Sequence, residues 1–179
     1  IFSRTVFGHP FLGLRECEGF LLQLNGLKGQ ALIDKLLSLE GGTTITSYGL
    51  QHIPASGPVV IAATHPTGMF DFAAHAGALL GKRPDMKVVA NREVDRFLGP
   101  DSIVPFTIAK HNKAVSGIQT RKAMLHHLNN DGALLIFGSG RVPDFCQGHL
   151  IEPAWRRGAT LASKLSQAPI VTASLDARN

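Results

Sequence analysis

Val59-Val60-Ile61-Ala62-Ala63-Thr64-His65-Pro66-Thr67-Gly68-Met69-Phe70-Asp71 is the stretch from which the fold class is read. Its first five residues are apolar and three of them are β-branched, which predicts a strand buried on both faces, as in a parallel sheet covered by helices. Pro66 and Gly68 stop that strand, and from Phe70 the pattern turns helical. The turn puts His65 at the C-terminal end of a strand, where open α/β sheets take their ligands. Asp71, near the start of the helix, can reach one nitrogen of the His65 ring and leave the other free to accept a proton from a hydroxyl, the arrangement of a general base. The same residues admit a plainer reading, with Asp71 as a charge at a helix N-terminus and His65 as a satisfied polar residue at a strand end.

Outward from this stretch, strands are expected near 43–48, 58–63, 87–90, 103–106, 133–137 and 169–174, and helices near 70–80, 92–98, 115–129 and 153–166. The alternation predicts an α/β fold, a mixed, mostly parallel sheet flanked by helices. Ahead of it, residues 14–25 align Leu14, Cys17, Phe20, Leu21 and Leu24 on one face, and residues 30–39 repeat the pattern with Leu32, Ile33, Leu36 and Leu37. An N-terminal amphipathic helical segment, residues 1–42, is therefore expected on or beside a core of residues 43–179, with Gly41-Gly42 ending it. The Pro/Gly turns at 54–58, 81–84 and 99–100 read as surface connections rather than linkers, so one domain is expected overall. Ile1 is no initiator methionine and Asn179 closely follows a strand, and the chain is read as a piece of a longer protein.

A length of 179 residues with 44% hydrophobic suffices for one buried core. The 18 Lys and Arg against 13 Asp and Glu give a net charge of +5, which suits anionic partners: phosphates, coenzyme A, acidic carrier proteins, anionic lipid surfaces. Nucleic acid is set aside, because zinc spacings and an aromatic RNA-binding signature are lacking and only one Tyr and one Trp are present for stacking. Cys17 and Cys146 are too few for a disulfide framework and favour a reducing compartment. No apolar run approaches the roughly 18 residues of a membrane-spanning helix.

The second chemical stretch is Gly138-Ser139-Gly140-Arg141, directly after the apolar run Ala133-Leu134-Leu135-Ile136-Phe137. If that strand lies parallel beside 59–63, the two glycines bring backbone N–H groups near a ligand and Arg141 offers a planar fork to a phosphate; otherwise the segment is a turn with a surface arginine. Lys110, His111 and Lys113 form a basic cluster after the strand at 103–106, and Arg92 follows the strand at 87–90. Both can border the same edge, although a solvated basic face explains the lysines as well. His126 and His127 are adjacent in a helical stretch, where neighbours diverge by about 100° and cannot chelate one ion. They are read as structural, and no metal site is expected.

Several of these segments together resemble the glycerolipid (1-acylglycerol-3-phosphate) acyltransferase superfamily. Tyr48-Gly49-Leu50-Gln51-His52-Ile53-Pro54, Gly57-Pro58 and the strand to His65 look like the family's lead-in to its catalytic His and Asp. Phe137 to Arg141 is similar to the Phe-Pro-Glu-Gly block, Trp155-Arg156-Arg157-Gly158-Ala159 through Val171 to the closing helix and strand, and Ile103-Val104-Pro105-Phe106 more faintly to the block between. The likeness covers roughly residues 48 to 175, in family order. Two departures stand out: five residues rather than four separate His65 from Asp71, a form associated with one bacterial branch that carries His-Pro-Thr-Gly, and Gly138 and Ser139 replace the Pro and Glu. The role of that glutamate is not carried over.

The resemblance implies an O-acyltransferase that moves a fatty acyl group from acyl-coenzyme A or acyl-carrier protein to the hydroxyl of a lyso-glycerophospholipid or related lipid, with no cofactor beyond that co-substrate. His65 is then the base and Asp71 its support, with Thr67, Gly68, Ser139, Gly140, Arg141 and Arg92 around the substrate and Gly68 or Gly140 offering N–H groups to an oxyanion. It also implies a cytoplasmic protein, peripheral on the inner face of the cell membrane. A non-catalytic module of this fold binding lipid or acyl carrier, and an acyl thioesterase in which water replaces the acceptor, are the alternatives.

Overall fold

Strand β1 (Val59–Ala63) is buried at all five positions and lies between two parallel partners. The computed structural model describes residues 22–39, 42–106, 113–146 and 149–176; Cys17, most of the expected helix at 14–25, and Lys110 and His111 lie outside them. In chain order the elements are α1 (Gly29–Ser38), β1, α2 (Met69–Leu79), β2 (Lys87–Asn91), α3 (Asp95–Leu98), β3 (Ile103–Phe106), α4 (Lys113–Asn129), β4 (Ala133–Phe137), β5 (Asp144–Cys146), β6 (His149–Ile151), α5 (Gly158–Ser166) and β7 (Ile170–Ala173).

Five strands form one sheet in the order β3-β2-β4-β1-β7, and every pairing in it is parallel. The sheet expected to be mixed is thus parallel throughout the described residues, and the antiparallel pairing belongs to a separate ribbon of β5 and β6 that the sequence pattern did not disclose. Residues 43–48 are a second correction, since they form no strand. Thr43, Thr44 and Thr46 have strand propensity but are exposed, and propensity expresses fit to a pleated, half-buried surface that this segment does not meet. The helix expected at 92–98 divides into a 3₁₀ turn at Arg92–Val94 and the short α3, and the helix expected from 153 begins at Gly158.

Alternate residues of each strand feed opposite faces. Val59, Ile61, Val88, Ile103, Ala133 and Leu135 pack with Leu32 and Ile33 of α1, Phe72, Ala76 and Leu79 of α2, and Leu98 of α3. Val60, Ala62, Val104, Leu134 and Ile136 pack with Met124 and Leu128 of α4 and Ala159 and Ala162 of α5. Burial on both faces is why the central strands read as unbroken apolar runs. Connections running toward β3 carry α2 and α3 on one face, and those running toward β7 carry α4 and α5 on the other, as a single crossover hand demands. Beyond the C-terminal ends of the adjacent strands β1 and β4 the chain therefore leaves toward opposite faces, which opens a crevice between them.

The turn at 81–84 is more than a surface connection, because Arg83 is buried to 1% exposure. Its Nε and Nη2 donate to the Asp85 carboxylate at 2.8 and 2.7 Å, and Nη1 and Nη2 donate to the Pro54 and Asp131 carbonyls at 3.2 and 2.8 Å. Asp85 also accepts from the Ala133 N–H at 2.9 Å, so one guanidinium ties three loops to the start of β4. The Arg83 guanidinium, donating to Asp85, holds that carboxyl down to about 2 against an ordinary 3.8. His127 Nε2 lies 2.9 Å from the Ala133 carbonyl and its ring packs against Gly132.

Candidate active site

The crevice beyond β1 and β4 holds His65, and its geometry begins with Gly68. That residue adopts φ +83 at the N-cap of α2, a conformation that L side chains rarely take, and so turns the chain sharply from strand into helix. The turn places Asp71 at the third helical position, facing back over the loop. Its carboxylate is fully buried and accepts four hydrogen-bond donors: His65 Nδ1 at 2.9 Å, Thr67 N–H at 3.0 and 3.2 Å to its two oxygens, Gly68 N–H at 3.1 Å, and the Thr67 hydroxyl. The Gly68 contact is the half of a capping box in which the third residue's side chain takes the cap's N–H. Helix α2 also presents its positive end to that charge.

A carboxylate can only accept, so Nδ1 of His65 is the donor, and in a neutral ring held this way Nε2 is the nitrogen with the lone pair. The His65 ring stacks on Phe137 at the end of β4, centroids 4.1 Å apart and planes 17° from parallel, and its side chain is 19% exposed. Aromatic packing and the carboxylate fix the ring, and His65 lines the crevice. On the next turn of α2 lies His75, 7% exposed, with Nε2 buried and unpartnered and its ring tilted against Phe137 at 6.1 Å. Burial pushes His75 below the ordinary imidazole range, the Asp71 charge partly offsets this, and His65 adds to it.

His65 stands on the wall of a cleft of about 1350 Å³. Its interior is apolar, with Leu36, Phe72, Val88, Val94, Leu98, Phe106, Met124 and Ile136 among the lining, while Gly68, Asn91, Gly138, Gly140, Arg141 and Arg156 supply polar groups. Phe70, Val142 and Trp155 leave 38%, 46% and 42% of their surface exposed on segments bordering the His65 loop and the loop after β4.

Thr67 spends its N–H and hydroxyl on Asp71, and Gly68 its N–H, so neither N–H is free for an oxyanion. The Gly140 N–H donates to the Phe137 carbonyl at 3.0 Å. Ser139 is buried at 2% and donates its hydroxyl to the Arg141 carbonyl at 2.6 Å, which shapes the loop from inside. Arg141 reaches the cleft but is engaged by Asp144, with contacts of 3.1 and 3.4 Å. Arg92 is exposed and stands outside the lining, whereas its neighbour Asn91 is part of it.

Sequence reasoning passed over Trp155 and Arg156 as site residues. A Cβ at Gly138 would lie 2.2 Å from Trp155 Cδ2, so the indole lies directly on that glycine and leaves room for no side chain. The Arg156 N–H donates to the Gly138 carbonyl at 2.9 Å. The signal was present in the pairing of a glycine loop with a Trp-Arg-Arg run, but no local spacing connects segments so far apart. The chain matches no protein-family model, no curated protein and no solved structure.

Proposed function

We infer that this chain is an O-acyltransferase of the glycerolipid acyltransferase kind, moving a fatty acyl group from an acyl thioester to the hydroxyl of a lyso-glycerophospholipid or related lipid. The observation that carries the reading is the His65–Asp71 pair, 2.9 Å apart, on the wall of a large apolar cleft. The acceptor hydroxyl gives its proton to His65 Nε2 as its oxygen attacks the thioester carbonyl, and Asp71 supports the imidazolium that results. Collapse of the tetrahedral adduct breaks the carbon–sulfur bond, and the departing sulfur takes the proton back from Nε2. No covalent acyl-enzyme forms. With the Gly68 N–H on the Asp71 carboxylate and the Asp71 N–H on the Gly68 carbonyl, the developing oxyanion is assigned to the N–H groups of Met69 and Phe70 at the start of α2.

The apolar interior suits a hydrocarbon chain, and the exposed Phe70, Val142 and Trp155 suit contact with a lipid surface. Among the described residues no helix is long and apolar enough to cross a membrane, and a peripheral approach to an anionic bilayer fits the net charge of +5.

The test is incubation of the protein with labelled acyl-coenzyme A, with and without lyso-lipids. Acceptor-dependent lipid product that disappears in a folded His65→Ala variant is the expected result. Free fatty acid alone would identify a thioesterase, and neither product would leave a binding module.

A further inference from the structure

The chain holds no Asp or Glu from residue 102 to 130 or from 153 to 175, although both stretches are rich in Lys and Arg. The fold brings these stretches together, because α4 and α5 pack side by side on one face of the sheet through Met124, Leu128, Ala159 and Ala162. Turned away from that core, Arg121 and Lys122 of α4, Lys164 of α5 and Arg157 at its N-cap are exposed. Ile118, one helical turn before Arg121 and Lys122, and Leu165, next to Lys164, are each 51% exposed. The carboxylates nearest in sequence are Asp131, past the end of α4, and Glu152, ahead of α5. On the opposite face of the sheet the signs alternate, with Asp34 next to Lys35 on α1 and Asp95 next to Arg96 on α3. The net charge of +5 is thus displayed mainly on one pair of helices. That helical face adjoins the cleft. Helix α4 joins two strands of a parallel sheet and so starts at the edge where His65 stands; its Gly117, Thr120 and Met124 line the cleft, as does Gly158, the first residue of α5. It is separate from the exposed apolar residues of the rim. Val142 Cγ1 stands 3.5 Å from where a Cβ on Gly68 would be, and Trp155 lies on Gly138, so that rim is built on the loops beyond the strand ends, whereas the basic helices cover the broad face of the sheet.

We propose that the exposed face of α4 and α5 is a docking surface for an acidic protein, a small carrier that presents the acyl thioester on a flexible arm. That the partner brings an acyl group rests on the acyltransferase reading; that it is an anionic protein rests on the face itself. A one-sign helical surface with isolated aliphatic side chains, Ile118 and Leu165, among the charges has the make-up of a protein contact with a charged rim. A bilayer is met instead by the apolar rim of Phe70, Val142 and Trp155, and with that rim on lipid the α4–α5 face is turned sideways toward water, open to a soluble partner. The same helix that carries Arg121 and Lys122 outward builds the cleft wall with Thr120 and Gly117, so an arm from a carrier seated there has only the N-terminal end of α4 to pass. Charge of this kind acts before contact, speeding encounter and orienting the partner, and it is screened by salt. Coenzyme A, whose charge is confined to one nucleotide, has no use for so wide a surface.

Binding kinetics on an immobilised carrier test this without requiring turnover. The probes are recombinant bacterial acyl-carrier protein in its holo form and, separately, phosphatidylglycerol vesicles, each presented to wild type, Lys122→Glu, Lys164→Glu, the double variant and Lys28→Glu. Lys28 is exposed at the N-cap of α1 on the opposite face, and its reversal changes the net charge as much as either single variant does. Thermal melts verify folding. Wild type is expected to bind the carrier, and to bind it more weakly as salt rises from about 50 to about 300 mM. Lys122→Glu and Lys164→Glu should each weaken it by about fivefold to tenfold, chiefly by slowing association, the double variant by more than either, and Lys28→Glu by less than about twofold. Wild type that does not bind the carrier, or binds it without dependence on salt, overturns the proposal, and neither result needs a variant to fold. Equal losses in Lys28→Glu and Lys122→Glu overturn it too, because they reduce the effect to net charge. Loss of vesicle binding in place of carrier binding in the α4 and α5 variants assigns the face to lipid and overturns the protein partner. Carrier binding through this face by a protein that transfers no acyl group upholds the docking surface while the acyltransferase reading fails. Acyl transfer from coenzyme A without carrier binding does the reverse.

Discussion

Asp71→Asn is the most informative single substitution, because the bonds around the carboxylate decide what the amide can do. One oxygen receives His65 Nδ1, Thr67 N–H and Gly68 N–H, and the other receives the Thr67 hydroxyl and shares the Thr67 N–H. An asparagine has one acceptor oxygen and one NH2 group. With its oxygen where three donors converge, the NH2 meets the Thr67 hydroxyl, which can rotate to accept; reversed, the NH2 opposes three donors. The first orientation wins, so Nδ1–H of His65 still has its acceptor and the tautomer is kept. What is lost is the charge. Each of the three converging bonds falls from the charge-assisted to the neutral class, about 1 kcal/mol apiece, for a stability loss of about 3 kcal/mol. In the reaction, a carboxylate and an imidazolium with charge centres ~4 Å apart attract by about 4 kcal/mol at an effective dielectric of ~20. The amide dipole retains part of that, so turnover should fall by ~10² to 10³. Acyl-transfer kinetics under saturating substrate, with urea melts on the same preparations, measure both numbers. Turnover within tenfold of wild type in folded Asp71→Asn protein would refute the general-base assignment. A loss equal to that of His65→Ala would refute the orientation argument, because it would mean that the ring had changed tautomer.

Two further outcomes concern stability. Asp85→Ala leaves the buried Arg83 guanidinium without its anion and should cost about 2 to 3 kcal/mol in urea melts, below the full cost of stripping a buried ion because Asp85 is itself 40% exposed. Asp85 has a depressed pKa, so its stabilisation is present above 3.8 and is lost as pH falls toward about 2; the variant should show a shallower loss of stability across that window. His75 and His127 are both lowered from 6.5, each chiefly by burial, so the unfolded chain binds protons more readily than the folded one. Their effect is therefore absent above pH 6.5 and destabilising as pH falls below it, and His75→Phe should reduce the drop in melting temperature between pH 7 and pH 5. An unchanged drop would show that His75 takes up its proton without cost.

The apolar runs at 59–63 and 133–137, the helical spacing after Phe70, and the Pro66 and Gly68 breaks sufficed for the α/β class and for bringing His65 within reach of Asp71. Each depends on residues a few positions apart, whose geometry follows from the strand and helix repeats alone. The strand order is a different matter. That β4 lies against β1, so that Phe137 meets the His65 ring, depends on register between segments some seventy residues apart. The same holds for the burial of Arg83, the indole over Gly138, and the pairing of Arg141 with Asp144. Local sequence marks both arginines as surface cations, because charge is a property of the residue. Whether a charge is buried, paired or exposed is a property of what the rest of the chain brings beside it, and only the folded structure decides that.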